Sequence, residues 1–214
     1  TLFMQFPVFS SEIVCRFTAD SLIGSYFPKG REAGIAYMFF ATYGVTDRFP
    51  ASTEPAGPDV TGRWRIVENP GTPDSSLMVG EFVQDSGHVT GTILATSGDY
   101  RYLEGKVSGN KFMVSAVDGA HSLVFVAGIA GDGSMSGRFV GGPKWKSTWI
   151  AVKDSAATLP PSSDLVRLKP GVSTFSFTFP DVNGQPVSLD DPVFKGKVVI
   201  VEAMGTWCPN CLDE

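Results

Sequence analysis

The sequence predicts a mainly β protein, an antiparallel up-and-down barrel or sandwich, followed after a linker by the start of a second domain. Short alternating segments recur between turn residues, and Gly and Pro number 24 and 15 among 214 residues, which is typical of strands joined by tight turns. A stretch of small residues near residue 160 separates this pattern from a different one. The 43% of hydrophobic residues suffices for a core and excludes a wholly disordered chain.

Eight candidate strands fill residues 60–152. They are Val60–Val67, Ser76–Gln84, His88–Leu94, Tyr100–Val107, Lys111–Val117, Ser122–Ala130, Ser134–Val140 and Trp145–Val152. Compact turns such as Ser108-Gly109-Asn110 join several of them, because Gly and Asn adopt positive φ at little cost. The last strand alternates, with Trp149 on one face and Ile150 on the other. Evenly spaced antiparallel strands can close into a barrel and so hide their edges.

The first 50 residues look like half of the same module again. Phe3-Met4 matches Phe112-Met113 at an offset of 109, and Asp20–Phe27 resembles Asp132–Phe139 at an offset of 112 to 113. We therefore expect a partial β-module over residues 1–50 and a barrel or sandwich module over residues 51–153. On this interpretation the first residue lies midway through a first module.

Charge and hydropathy exclude several function classes. The net charge is −5, and no basic stripe exists to displace counterions from phosphates, so we expect no nucleic-acid partner. The best apolar runs, such as Ile35–Ala41, are far shorter than the roughly 20 residues of a membrane-spanning helix, so we expect no integral membrane span. With only His88 and His121 as histidines and one Cys pair, a zinc site lacks ligands. We expect no metal and no cofactor.

A linker over residues 154–173 contains three prolines among small and polar residues and cannot bury enough surface to fold alone. A new domain follows over residues 174–214. Phe175–Phe179 alternates strictly, and Val187–Leu189 returns after a tight turn as its partner strand. Lys197–Val201 is a continuous apolar run, which predicts a strand buried on both faces.

That predicted strand leads into Trp207-Cys208-Pro209-Asn210-Cys211. At the start of a helix, unpaired N–H groups and the helix dipole favour a thiolate on Cys208 and can lower a thiol pKa from about 8.5 to roughly 3.5–7.5. Pro209 suits the first helical position, because its missing N–H is not needed there. Cys211 lies one turn further on the same face and can close a disulfide. Trp207 would cover one side of the pair.

Residues 195–211, preceded by residues 179–189, resemble the opening of a TlpA/ResA-like thiol–disulfide oxidoreductase of the thioredoxin-like redoxin family. The β-rich leader resembles that of multi-domain redoxins from Bacteroidetes-type bacteria. The resemblance covers residues 174–214 and implies the N-terminal fragment of a thioredoxin-like α/β domain with a redox-active centre. It implies antioxidant activity and dithiol–disulfide exchange with protein substrates in the periplasm or another extracytoplasmic compartment.

The same resemblance assigns roles to residues. Cys208 would be the attacking thiolate, Cys211 the resolving thiol and Glu202 the acid beneath the pair, although a solvent-facing Glu202 is an equal alternative. Trp207 and Pro209 would contact the substrate. The family's fold also needs a helix after the Cys pair, two further strands, a second helix and a cis-proline loop. We therefore expect a C-terminally truncated domain that is inactive by itself.

Two other functions stay open. A thiol peroxidase fits less well, because Gly205 and Val201 stand where that family places Thr and Pro. A non-catalytic binding or dimerisation module, acting as a homodimer, would follow from strands that need partners. Its aromatic residues would either fill the barrel or line a ligand cavity; they are Trp64, Trp145, Trp149, Tyr100 and Tyr102. We expect Cys15 to be a small buried hydrophobe, with a third redox partner as the alternative, and both histidines to be surface residues.

Overall fold

The computed structural model describes residues 1–28, 34–50, 53–205, 208 and 211. The chain divides into two compact units, one of residues 1–159 together with 205–214 and one of residues 160–204. In the part of the chain that is described, no helix combines the length and the apolar character that crossing a bilayer requires.

The strands of the first unit form two antiparallel sheets. The bounds are β1 Leu2–Phe6, β2 Ser11–Phe17, β3 Ser21–Phe27, β4 Tyr37–Thr42, β5 Gly62–Glu68, β6 Ser76–Asp85, β7 His88–Ala95, β8 Gly98–Asp99, β9 Leu103–Ser108, β10 Lys111–Val117, β11 Ser122–Ile129, β12 Met135–Val140 and β13 Lys146–Lys153. The strands β1 to β4 make a four-stranded meander in chain order, and the later strands make the larger sheet.

The larger sheet closes into an eight-stranded up-and-down barrel over residues 62–153, all of which are described. Each long strand pairs with the next one along the chain, the two-residue β8 adding only to the edge of β7. The last strand, β13, returns to β5, where Ala151 lies opposite Ile66. The barrel alternative of the predicted fold class is therefore confirmed, and closure leaves the long strands without a free edge.

Alternating residues of these strands fill the barrel. In β10, Phe112 and Val114 point inward and are 0% exposed, whereas Val117 at the strand end is 64% exposed. The rings pack closely, with centroids of Phe125 and Phe139 4.5 Å apart. The large side chains that are fully enclosed include Trp149, Phe112, Phe125, Phe139, Ile66, Met78, Ile93, Leu103 and Met135. An eight-stranded barrel has an interior just wide enough to be filled in this way.

The eight strands predicted over residues 60–152 agree with the observed ones to within two residues at each end, except at the start of β9. The sequence predicts a strand from Tyr100, but β9 begins at Leu103. Arg101 adopts φ +61°, and this left-handed conformation breaks the extended backbone between the β8 edge and β9. Tyr102, expected among the aromatic residues of the barrel interior, is 92% exposed as a result.

The four-stranded sheet contacts the barrel through one turn. The β10–β11 turn presents the carbonyl of Gly119, which accepts hydrogen bonds from the Ser11 hydroxyl and, at 3.0 Å, from the Tyr26 hydroxyl. A Cβ on Gly119 would lie 3.0 Å from Phe9 and 3.1 Å from Phe6. The turn is therefore held by both hydrogen bonds and close aromatic packing.

Residues 160–204 contain little regular structure. A short helix, α1 Ser162–Leu165, is followed by β14 Thr178–Pro180, which pairs antiparallel with β15 Pro186–Ser188. The predicted hairpin is present, although the strand predicted from Phe175 begins at Thr178. Asp181 holds its turn by accepting the backbone N–H groups of Asn183 and Gln185 at 2.8 Å.

The buried strand predicted over Lys197–Val201 is wrong for this structure. These residues are not a strand, and Val198 and Ile200 are 96% and 91% exposed. A parallel strand becomes buried only between two neighbouring strands and beneath covering helices. No described residue pairs with this segment as a strand, so its apolar side chains are not enclosed as those of a sheet interior would be.

Candidate redox site

The two cysteines of the Cys-x-x-Cys motif form a disulfide. Cys208 and Cys211 have Cα atoms 5.3 Å apart, within the usual range for disulfides of about 4.4–6.8 Å. Both residues are half-buried. The backbone therefore already places the two Cα atoms at a distance suited to a disulfide.

The sulfur of Cys208 accepts a backbone hydrogen bond from within the motif. The backbone N–H of Cys211 points at Cys208 Sγ with an N···S distance of 3.3 Å, which is the contact that an N-cap side chain makes with the N–H three residues on. The N–H of Cys208 donates to the Gly205 carbonyl at 2.9 Å. A backbone donor aimed at this sulfur would stabilise a negative charge on it more than a neutral thiol.

Of the other predicted site residues, Glu202 is the one that the structure describes. Glu202 is exposed, so its carboxylate lies in solvent in this structure. Trp207 and Pro209, predicted to contact substrate, lie outside the described residues. The described part of the site thus consists of the two sulfurs and the backbone N–H of Cys211, which donates to the sulfur of Cys208.

The third cysteine is part of the four-stranded sheet. Cys15 is 2% exposed and free, and it lies between Leu2 and Gly24 on the neighbouring strands. Buried thiols in apolar surroundings behave as small hydrophobes and are inert. This agrees with the interpretation of Cys15 as a packing residue.

The aromatic residues fill the barrel or pack at its end. Trp64 and Trp149 are each 2% exposed, while Tyr100 packs edge to face on Phe125 and Phe139. Burial raises the pKa of the Tyr100 hydroxyl well above its usual range, and the charge of Glu68 adds to this effect. These side chains occupy the space in which an internal ligand would bind, so the barrel packs as a core.

A polar pocket that the sequence did not reveal lies on the outer wall of the barrel. Glu104 on β9 accepts from Arg48 at 2.9 Å and contacts the His88 ring at 3.0 Å. The hydrogen bond from His88 and then the charge of Arg48 lower the pKa of the Glu104 carboxyl. The cavity beside them measures about 370 Å³. Lys106 donates to the Pro50 carbonyl at 2.6 Å, so this cluster ties the segment before the barrel to its wall.

The two histidines behave differently. His88 is exposed as predicted. His121, also expected at the surface, is instead half-buried, because its ring packs against Trp145 at 5.7 Å and its Nδ1 contacts Asp118 at 3.2 Å.

The polar pocket around Glu104 combines residues from three separate segments, and no local pattern connects them.

Comparisons of the chain with protein-family models, with curated proteins and with solved structures found no match.

Proposed function

We propose that the chain carries the redox centre of a thiol–disulfide oxidoreductase that exchanges electrons with protein substrates through Cys208 and Cys211. The observation that carries this proposal is the backbone N–H of Cys211, 3.3 Å from Cys208 Sγ. It supplies the asymmetry that such chemistry needs, because it favours charge on one sulfur of the pair. The resemblance of residues 174–214 to a redoxin domain supports the same assignment.

The reaction transfers two electrons from the Cys208–Cys211 dithiol to the substrate disulfide. The Cys208 thiolate attacks a substrate disulfide, forming a mixed disulfide and releasing one substrate thiolate. The Cys211 thiolate then attacks Cys208 Sγ, which breaks the mixed disulfide and frees the second substrate thiolate. The substrate leaves as a dithiol after taking up two protons, and the pair leaves as the Cys208–Cys211 disulfide. An external dithiol restores the reduced pair by the reverse steps.

The test is the rate at which each reduced thiol reacts with iodoacetamide at pH 6. We compare Cys208 in the Cys211→Ser variant with Cys211 in the Cys208→Ser variant, both carrying Cys15→Ala. If the N–H contact lowers the pKa of Cys208 by one unit, its thiolate fraction and alkylation rate at pH 6 rise about tenfold over the ordinary thiol value. The Cys211 rate should stay close to that of glutathione.

A second arm tests exchange directly. Each reduced single-cysteine variant is mixed with oxidised glutathione, and the mixed disulfide, which forms as one glutathione leaves as a thiolate, is trapped with acid and located by mass spectrometry. We expect glutathione on Cys208 in the Cys211→Ser variant. Equal alkylation rates for the two cysteines, together with glutathione on both, would contradict the proposal and leave the pair as a structural disulfide.

A further inference from the structure

The outer wall of the barrel divides into two halves that differ in charge. In the half formed by β5 to β9, basic side chains are matched with acids, since Arg63 pairs with Glu81 and Arg48 from the preceding segment pairs with Glu104. The strands β10 to β13, all of whose residues are described, contain no Asp or Glu. They carry the basic residues Lys111, Arg138, Lys146 and Lys153. This half is therefore positively charged in a chain whose net charge is −5.

Arg138 lies at the centre of the basic half. In the registers of β11, β12 and β13 it lies between Val126 and Thr148. Its side chain is exposed, and among the described residues none forms an ion pair with its guanidinium. A guanidinium presents N–H donors in a planar fork that matches a carboxylate. Arg138 can therefore bind a carboxylate that comes from another molecule.

Aliphatic and small side chains surround Arg138 on the same surface. Because successive residues of a strand point to opposite sides, the outward residues of β11, β12 and β13 form three adjacent rows. The rows are Val124, Val140 and Lys146; Val126, Arg138 and Thr148; and Gly128, Ser136 and Ile150. Ile150 is 45% exposed, Lys146 is exposed and the valines are half-buried. We call these nine residues the β11–β13 face.

The composition of the β11–β13 face fits a protein partner better than a nucleic acid or a membrane. It holds no aromatic ring on which a base could stack, because the aromatic residues of these strands point inward; they are Phe125, Phe139 and Trp149. A helix that binds a membrane surface inserts Trp, Phe or Leu, whereas this face offers three valines and one isoleucine. Apolar side chains around an arginine, with polar residues at the rim, are typical of protein interfaces.

We propose that the β11–β13 face is a docking surface for an acidic polypeptide segment. Carboxylates of the partner pair with Arg138 and Lys146. Apolar side chains of the partner pack on Val126, Val140 and Ile150. Charge complementarity carries the choice of partner, because a neutral or basic partner would cover Arg138 without supplying a counter-charge, which is costly. The inference involves no residue of the Cys-x-x-Cys motif and does not rest on the redox proposal.

The size of the face indicates a short segment and a weak contact. Three strands about 4.8 Å apart and about six residues long, at roughly 3.3 Å per residue, cover on the order of 300 Å². A standard-size interface takes about 800 Å² from each partner. We therefore expect a transient complex whose affinity falls as the ionic strength rises, because salt screens exposed charges.

The experiment measures binding of a fluorescein-labelled peptide to the full chain by fluorescence anisotropy. The acidic probe is a peptide of Glu, Leu and Ser with about eight residues, which at roughly 3.3 Å each span the face. The neutral probe carries Gln in place of every Glu. We expect the acidic probe to bind, with a dissociation constant that rises with added NaCl, and the neutral probe not to bind.

Two pairs of variants locate the binding. Arg138→Glu should weaken binding of the acidic probe about tenfold, because charge reversal replaces attraction by repulsion. The matched control is Arg16→Glu, which makes the same change in net charge at an exposed position of β2 and should leave the dissociation constant within about twofold. Ile150→Thr should weaken binding about threefold through lost apolar contact. Val83→Thr, at an exposed position of β6 on the other half of the wall, should not.

Arg138→Gln keeps the test decisive if Arg138→Glu does not fold, because it removes the charge without reversing it. We expect about fivefold weaker binding for Arg138→Gln. Near-UV circular dichroism of the buried Trp64 and Trp149 rings verifies the barrel in each variant. Equal binding of the two probes, or equal losses in Arg138→Glu and Arg16→Glu, would overturn the proposal. It would also be overturned if phosphatidylserine vesicles or duplex DNA bound through Arg138 while the acidic probe did not bind.

Discussion

The Tyr26 hydroxyl donates a hydrogen bond of 3.0 Å to the carbonyl of Gly119, 93 residues further along the chain. Tyr26 is 8% exposed, so water does not compete well for this bond. The Ser11 hydroxyl donates to the same carbonyl. The Gly119 carbonyl oxygen thus accepts hydrogen bonds from two hydroxyls, one on β2 and one on β3. These two bonds connect the four-stranded sheet to the barrel.

Removing the Tyr26 hydroxyl should loosen the sheet and leave the barrel intact. In Tyr26→Phe the Gly119 carbonyl keeps only the Ser11 bond, and we expect the sheet to lose about 1 kcal/mol of stability, as for a typical buried hydrogen bond. Amide hydrogen exchange should quicken in β2 and β3 but not in β11. Tyr43→Phe, at a residue that is 92% exposed, is the control and should change neither. Equal acceleration in both sheets would contradict this division.

A side chain at Gly119 should destabilise the protein. It adopts φ +91°, which disfavours any L residue, and a Cβ would also press on Phe6 and Phe9. Gly133→Ala is a matched control, because Gly133 has φ +83° with no atom within 4 Å of the added Cβ. We expect Gly133→Ala to lose about 1 kcal/mol from backbone strain and Gly119→Ala to lose at least about 1 kcal/mol more from overpacking. Urea unfolding measures both, and equal losses would show that Phe6 and Phe9 move aside freely.

The carboxylate of Asp118 should make this turn sensitive to acid. Burial raises its pKa, but hydrogen bonds from the His121 ring and from the backbone N–H groups of His121 and Ala120 outweigh burial, and the net pKa is lowered. A lowered folded-state pKa means that the stabilisation is present above the unfolded value of about 3.9 and is lost as the pH falls through the folded value.

Asp118→Asn removes this charge at every pH. At pH 7 we expect the variant to be about 1 kcal/mol less stable than the wild type, from the weaker acceptor. The difference should shrink below pH 4 and vanish once Asp118 is protonated in the folded protein. Urea unfolding between pH 2.5 and 7 measures it, with Asp74→Asn as a control at an exposed turn residue. A difference that is constant over this range would exclude the carboxylate charge as its cause.

The strands of the barrel could be predicted from the sequence because their signals are local, whereas barrel and sandwich stayed alternatives until the pairing of β13 with β5 was seen. The turn residues Gly87, Gly109 and Gly133 all adopt positive φ. The alternation in β13 correctly places Trp149 and Ile150 on opposite faces, of which the Trp149 face is buried. The break before β9 depends on the positive φ of Arg101. No residue-type preference indicates such a conformation for arginine, so the start of β9 could not be predicted.

The candidate redox site was predictable only in part. The Cys-Pro-x-Cys spacing predicts an N-cap sulfur, and the N–H of Cys211 meets Cys208 as that pattern requires. The apolar run of residues 198–201 predicts a buried strand, but burial depends on neighbouring strands that a single segment does not encode. The pocket around Glu104 brings together His88 and Arg48, which are 16 and 56 residues away in sequence, so no local pattern reveals it.

The buried position of Cys15 predicts that the three thiols differ in reactivity. After reduction, Cys208 and Cys211 should react with Ellman's reagent in the native protein, because both are half-buried. Cys15, at 2% exposure, should react only when the sheet opens, so its rate should rise steeply with urea and match the hydrogen exchange of β2. The Cys15→Ala variant should lose this slow phase and keep the fast one. A fast third thiol in the native wild type would place Cys15 among the redox residues instead of the core.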